Sequence, residues 1–319
     1  MRLGFIGLGK MGFKMVEKLL DEKHRVVVYN KTPKPAKQLA KLGAEAVFSV
    51  DEFMKVLGTP KSFDFGSHKK LKSSKKVFEV SRVIVMMVPE GKPVDSLLKS
   101  MKSYFQAGDI VIDGGNSYYE DSIRRYNELK KLGVSFLDMG TSGGLIGARR
   151  GASLMIGGDK PVFKKVEKLF LDLATQDGYA YLGSSGAGHF VKTVHNGIEY
   201  ALLEAYGEGF GVLEKSNYNL DMKEVSKVWA HGSVIRSWIM DLAHEAFMKN
   251  PKLNKVPGII GGGTTGKWAL NISKKMKADS HTLEHALKRR KVSKRKQNFA
   301  SKFIAEMRNR FGGHKLDRG

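Results

Sequence analysis

Residues 2–12 read R-L-G-F-I-G-L-G-K-M-G, and the order of the parts decides the first half of the molecule. An apolar run, Arg2–Gly7, predicts a strand, and an amphipathic pattern over Met11–Asp21 predicts a helix. Gly7, Gly9 and Gly12 form G-x-G-x-x-G at the junction. The first glycine allows the tight turn, the second lets backbone approach a pyrophosphate, and the third permits close packing of helix on strand. The helix amino terminus then offers N–H groups to the anion. Lys10 and Met11 lie inside this turn, and with Val88, at the end of a later strand, they are placed at the same dinucleotide site. Downstream, strands are predicted at Arg25–Tyr29, Val83–Val88, Ile110–Asp113 and Val134–Asp138, with a weaker pair near Leu154 and Ala180. Helical patterns fill the gaps at Pro35–Leu42, Asp51–Leu57, Pro93–Tyr104, Ser117–Leu132 and Pro161–Ala174. Alternation of this kind is that of an α/β, doubly wound Rossmann-type domain, assigned to residues 1–186.

At the end of the second strand an acidic residue would hold the ribose hydroxyl of NAD, but the chain has Asn30, Lys31 and Thr32. A cation between two neutral hydrogen-bonding groups favours a 2′-phosphate and hence NADP, with NAD left open. Residues 58–76 are polar and basic without periodicity and are read as an inserted surface loop. Beyond Gly186 strand signals vanish. A long apolar helix is predicted from Gly188 to Lys215, too hydrophobic for a surface, followed by shorter helices near Met222, Ser237, Lys267, Thr282 and Gln297. Residues 187–319 are therefore assigned to an all-helical domain.

Composition narrows the classes. With 319 residues, 41% hydrophobic and 27% charged, the chain is a folded globular protein and not a disordered or fibrous one. It has no cysteine, so disulfides, thiolate metal sites and cysteine nucleophiles are excluded, and a reducing, cytoplasmic setting is expected. Its longest unbroken apolar run, Val83–Val88, is far short of the roughly 20 residues a membrane helix needs, and the glycine-rich opening does not resemble a signal peptide. A formal charge of +23 favours encounter with anions: nucleic acid, membrane or phosphorylated small molecules.

Two loops fall at the carboxyl edge of the predicted sheet, where ligands of open α/β folds bind: Asp113-Gly114-Gly115-Asn116-Ser117 and Thr141-Ser142-Gly143-Gly144. In the long helix, Lys192, His195, Asn196, Glu199 and Tyr200 stand at i, i+3, i+4, i+7 and i+8, within one arc of about 140°. Charges are not placed along a buried helix for stability, since desolvation costs more than pairing returns. A lysine of lowered pKa with a protonatable glutamate makes a base and acid pair.

GLGKMG, DGGNS, SGG, GAGHFVKTVHNGIEYA, TGKW and the terminal FGGH occur in that order over essentially the whole chain, which resembles the decarboxylating 6-phosphogluconate dehydrogenase family. The resemblance implies NADP-linked oxidation of 6-phosphogluconate at C3, loss of CO2, and protonation of the enediol to ribulose 5-phosphate. It implies Lys192 as base, Glu199 as acid, and Asn196 and His195 as holders of the reacting hydroxyls. Asn116 and the Ser142-Gly143-Gly144 turn are implied at the carboxylate end. For the phosphate it implies Tyr200, Thr265 and Arg290, with Arg289 as a near alternative. Arg308 and His314 are implied to come from the tail of a neighbouring subunit, in a homo-oligomer. No metal is implied.

The chain departs from the family's longer members at Gly263, where they carry lysine, and at Leu145 and Ile146, where they carry two glutamates. These differences and the shorter length resemble the short subclass, whose cofactor choice varies. Two other readings stay open: a β-hydroxyacid dehydrogenase of 3-hydroxyisobutyrate type, and a polyanion-binding protein on the same scaffold. The second is motivated by residues 288–296 but lacks an aromatic stacking platform.

Overall fold

The computed structural model describes residues 1–58 and 82–316, so the inserted loop, apart from Gly58, lies outside the described residues. The chain forms two compact units, Met1–Val191 and Lys192–Gly319.

In the first unit strands and helices alternate as β1 Arg2–Ile6, α1 Lys10–Asp21, β2 Arg25–Tyr29, α2 Pro33–Ala40, β3 Glu45–Val47, α3 Val50–Gly58, β4 Val83–Met86, α4 Lys92–Met101, β5 Ile110–Asp113, α5 Tyr119–Lys130, β6 Ser135–Ser142, α6 Gly144–Arg150, β7 Ala152–Gly158, α7 Lys160–Leu173 and β8 Ala174–Gly183. The eight strands form one sheet in the order β3-β2-β1-β4-β5-β6-β7-β8. Strand side chains alternate between two cores, as a period of two requires. Leu3, Phe5, Val26, Val28, Val83 and Val85 join one apolar cluster with residues of α1, α2 and α7. Val27, Ile84 and Met86 point the other way, to Phe53 of α3 and Val94 of α4. Burial on both faces explains why β4, and β5 up to Asp113, read as apolar runs.

Three features depart from the sequence reading. The short β3 was not expected, because three residues are too few for a periodic signal. The turn expected at Gly143-Gly144 opens a seven-residue helix, α6, and β6 runs on to Ser142. Finally, β7 pairs antiparallel to β6 in an otherwise parallel sheet. Residues 143–151 are too short for the dozen or so residues of a parallel crossover, so the chain turns back.

The second unit is helical: α8 Ala187–Glu214, which begins in the first unit, then α9 Met222–Ala230, α10 Trp238–Lys249, α11 Thr264–Met276, α12 His281–Ser293 and α13 Phe299–Gly312. Its core centres on Phe210, Phe247 and Phe303, whose ring centroids lie 4.9 to 6.2 Å apart. A capping box starts α13: the Asn298 side chain accepts from Ser301 N–H, and the Ser301 hydroxyl accepts from Asn298 N–H. The expectation that α8 is apolar because it is wholly buried fails. Ile198 is 64% and Val212 71% exposed, with Val191 and Val194 also exposed. Among the described residues no helix is long and apolar enough to cross a membrane.

Candidate active site

At the β1–α1 turn, Gly7 has φ +95°, and a Cβ there would stand 2.4 Å from the Met87 carbonyl oxygen. Only glycine fits. A Cβ on Gly12 would meet the Gly7 carbonyl at 2.0 Å, whereas one on Gly9, which caps α1 without a side-chain hydrogen bond, would meet nothing within 4 Å. The turn is thus tight where it packs and open where backbone N–H groups could receive a pyrophosphate, and Lys10, Met11 and Val88 lie in or beside the same crossover. Asn30 ties the second strand to it: its Oδ1 accepts from Leu8 N–H at 2.9 Å and its Nδ2 donates to the Thr32 hydroxyl at 2.8 Å. Lys31 and Thr32 are exposed beyond it.

Asn116 sits exposed at the tip of a turn braced from within. Asp113 accepts from Gly115 N–H and the Ser117 hydroxyl, and Arg125 donates to Asp113, Ser117 and Asp95. Sequence reading missed Arg125, which is fully buried on the inner face of α5; set beside Arg124 in a polar helix, it gives no local sign of this. Sequence reading also missed Asp138. This buried carboxylate accepts from Gly186 N–H at 2.7 Å and His189 N–H at 2.9 Å, fixing the first turn of α8. The Ser142-Gly143-Gly144 turn ends β6 at the same edge of the sheet as the Asp113 turn.

In the second unit, α8 carries the expected stripe. Lys192 is 8% exposed. Burial pulls its pKa down to about 8, while the Glu199 carboxylate pulls the other way. Burial raises the Glu199 carboxyl, and the positive charges of Lys192, Arg290 and Arg308 oppose that rise. His195 Nδ1 lies 3.3 Å from both Lys192 Nζ and Asn196 Oδ1. Burial and the lysine charge lower the His195 pKa, so the ring is neutral at pH 7. A charged lysine donates to the bare Nδ1, and the other tautomer turns Nδ1–H toward Asn196.

One turn on, the hydroxyls of Tyr200 and Thr265 are 3.2 Å apart, and the Arg290 guanidinium lies over the Tyr200 ring, 3.5 Å from its centroid. Burial, with Arg308 adding repulsion, brings Arg290 down to about 10. Arg289 points elsewhere and donates to Glu204 at 2.6 Å, so it is Arg290 that packs on Tyr200. Glu204, Glu208 and His285 bring possible ligand atoms within 4.8 Å of one another, a carboxylate cluster in which Arg289 already sits. Arg308 lies buried on the inner face of α13 beside Met307. The His314 ring meets Phe311 edge-on at 6.3 Å, and its carbonyl accepts from Asn309 Nδ2.

A glycine turn at the mouth of a mostly parallel sheet, followed by a helix bearing a buried lysine, defines an NAD(P)-dependent dehydrogenase. The chain belongs to the 6-phosphogluconate dehydrogenase family: the NAD binding domain of 6-phosphogluconate dehydrogenase matches residues 2–183, and the family's C-terminal domain matches residues 188–317. It is 40% identical to YqeC of Bacillus subtilis, a candidate 6-phosphogluconate dehydrogenase, over 100% of both chains. It is 37% identical to the NAD(+)-dependent, decarboxylating 6-phosphogluconate dehydrogenase of Haloferax volcanii, over 100% of this chain and 99% of that one. The Plasmodium falciparum 6-phosphogluconate dehydrogenase structure superposes with a TM-score of 0.78 at 27% identity, covering 92% of this chain and 62% of that longer one. A 3-hydroxyisobutyrate dehydrogenase from Salmonella typhimurium shares the fold, with a TM-score of 0.74 at 17% identity over 95% and 99% of the two chains.

Proposed function

We propose that the chain oxidises 6-phosphogluconate to ribulose 5-phosphate and CO2 while reducing NADP or NAD, a step of pentose phosphate and gluconate metabolism. The observation that carries this reading is the single cluster in the second unit, where Lys192 and Glu199 stand on the helix that also presents Tyr200 to the buried Arg290. The cluster joins a base and acid pair to a seat for a dianion. A 3-hydroxyisobutyrate-type substrate has no phosphate to occupy such a seat.

With a pKa near 8, Lys192 is partly neutral at physiological pH and takes the C3 hydroxyl proton. A nicotinamide cofactor held by the Gly7-Leu8-Gly9 turn would supply the acceptor for the C3 hydride. The lysine, now an ammonium, donates to the new C3 carbonyl and draws electrons toward it, so the C1–C2 bond breaks, C1 leaves as CO2 and the bonding pair forms the enediol. Glu199, whose carboxyl burial pushes upward, delivers a proton to the carbon that lost CO2, which becomes C1 of the product. Asn196 and His195 hold the hydroxyls about C3. Asn116 and the Ser142-Gly143-Gly144 turn receive the carboxylate end. The phosphate goes to Tyr200, Thr265 and Arg290, together with Arg308; His314 is assigned to its rim.

NADP is the preferred cofactor in this reading, because exposed Lys31 and Thr32 follow Asn30 where an acidic residue would select NAD. We also infer a homo-oligomer: Val194, Ile198 and Val212 leave an apolar stripe on α8 that a second copy of the chain would cover.

The test is reduced-cofactor absorbance with 6-phosphogluconate, run in parallel with NADP and NAD and with Lys192→Ala as the blank. One CO2 per reduced cofactor, abolished in the blank, is expected. Silence with both cofactors overturns the assignment.

A further inference from the structure

The Arg290 guanidinium stands against Tyr200, but its own hydrogen bonding is sparse: Nη1 donates to the Gly261 carbonyl at 3.0 Å, and Nη2 is buried without a hydrogen-bond partner. The helix that carries it is also lightly anchored. Among the described residues, the large apolar core around Phe210, Phe247 and Phe303 takes no side chain from α12. Instead α12 gives Leu283 and Ala286 to a small cluster with Tyr200 and Ala269. Small side chains make shallow ridges, so such a contact fixes the register of a helix poorly.

A polar ladder supplies what the apolar contact lacks. Glu204 and Glu208, one turn apart on α8, face Arg289 and His285, one turn apart on α12. Arg289 Nε donates to Glu204 Oε1 at 2.6 Å and its Nη2 to Glu208 Oε1 at 3.4 Å. His285 Nε2 lies 3.2 Å from the same Glu208 oxygen and 3.6 Å from Glu204 Oε1. Together with the Tyr200–Arg290 contact, the ladder ascends α8 as it descends α12, so the two helices run antiparallel here and every rung depends on one register. Glu204 is 2% exposed, and its Oε2 is buried without a hydrogen-bond partner. A buried carboxylate that is half satisfied costs stability, and apolar residues in place of such an ion pair are often as stable or more so. What the pair returns is geometry, because the planar fork of an arginine holds two acceptors at fixed angles. Arg289 directly precedes Arg290, so fixing the first fixes where the second leaves the helix.

We propose that Glu204 and Arg289 are positioning residues whose pair, braced by Glu208 and His285, sets the register of α12 on α8 and so holds Arg290 over Tyr200. Neither residue is placed against the substrate. The link to substrate binding rests on the function proposed above; the geometry does not.

The experiment reads Tyr200 directly. Protein with isotope-labelled tyrosine rings is compared by NMR with Tyr200→Phe, which assigns one signal among the ten tyrosines. Arg290→Ala shows where that signal goes when the stacked cation is absent. Arg289→Ala and Glu204→Ala are each expected to move it most of the way to that position, and a signal that stays in place in both overturns the proposal. Arg289→Lys keeps the charge but loses the fork; it is expected to move the signal part of the way, and it carries the same test if an alanine variant fails to fold.

Kinetics separate positioning from general support. In Arg289→Ala the KM for 6-phosphogluconate is expected to rise about tenfold, with kcat and NADP binding within about threefold. In an Arg290→Ala background the same substitution is expected to change KM less than about twofold, because it acts through the side chain already removed. Parallel losses in KM, kcat and NADP binding, or KM effects that multiply in the double variant, overturn the positioning role. If wild type does not turn over 6-phosphogluconate yet the Tyr200 signal follows Arg289, the proposed reaction falls and the clamp stands.

Discussion

Two glycine turns, Gly7-Leu8-Gly9-Lys10-Met11-Gly12 before α1 and Gly261-Gly262-Gly263 before α11, are alike in sequence and opposite in surroundings. Around the first, the nearby cations Lys10 and Lys31 are exposed, and the turn is shaped by backbone crowding against Met87 and by the Asn30 side chain. Around the second, two buried arginines arrive from helices some 30 to 45 residues further on. The first turn suits a pyrophosphate diester, whose charge is spread and which backbone N–H groups can hold. The second suits a terminal phosphate, whose double charge needs fixed cations out of water.

Substitutions can break this contrast, and the largest effect falls on the chemistry beside the second turn. Glu199→Gln removes the proposed acid and is expected to lower kcat by about 10²- to 10⁴-fold. Its pH profile is the sharper readout. In wild type the lysine and glutamate carry one proton between their titrations, so kcat/KM falls on the alkaline side near pH 8 as that proton leaves. In the variant only the lysine titrates, and activity climbs with pH, with a midpoint below 8 because the carboxylate that raised the lysine's pKa is gone. An unchanged alkaline fall would assign that limb to another group.

Next in size is Arg290→Ala, which removes a buried charge and its packing on Tyr200. Loss of a buried, hydrogen-bonded charge costs roughly 2–5 kcal/mol of binding, about 30- to 4,000-fold in KM for 6-phosphogluconate. Binding of NADP, measured separately by fluorescence quenching, is expected to stay within about twofold, since the first turn is built from other residues.

The smallest effect falls on the first turn. Gly7→Ala forces a side chain into positive φ and against the Met87 carbonyl, at a cost of about 1–3 kcal/mol in stability. A lower melting temperature and weaker cofactor binding are expected, with stabilisation by inorganic phosphate at the second turn retained. Loss of both ligand responses together would show that the two turns are not independent.

What could be read in advance divides along the same line. The β1–α1 turn, the buried strands and the α8 stripe announce themselves within short windows, because glycine spacing, period-two burial and helical repeat are local. Arg125, Asp138 and Asn30 act through partners elsewhere in the chain, and the first two were missed, since neither an arginine in a polar helix nor an aspartate in an apolar strand says what it holds. β3 and α6 were too short to show a period. The exposed stripe on α8 was misjudged because hydrophobicity reports that a face seeks cover and not whether its own chain supplies it.

By itself, the sequence determined the class of fold, the dinucleotide turn and the set of chemically active side chains on α8, all consequences of backbone geometry acting over a few residues. Only the tertiary structure decided the antiparallel turn-back at β7, the packing of Arg290, not Arg289, on Tyr200, and the approach of Arg308 to the Gly262 turn. Each depends on how helices distant in sequence pack, and packing is set by the summed shape of many side chains, which no local pattern encodes.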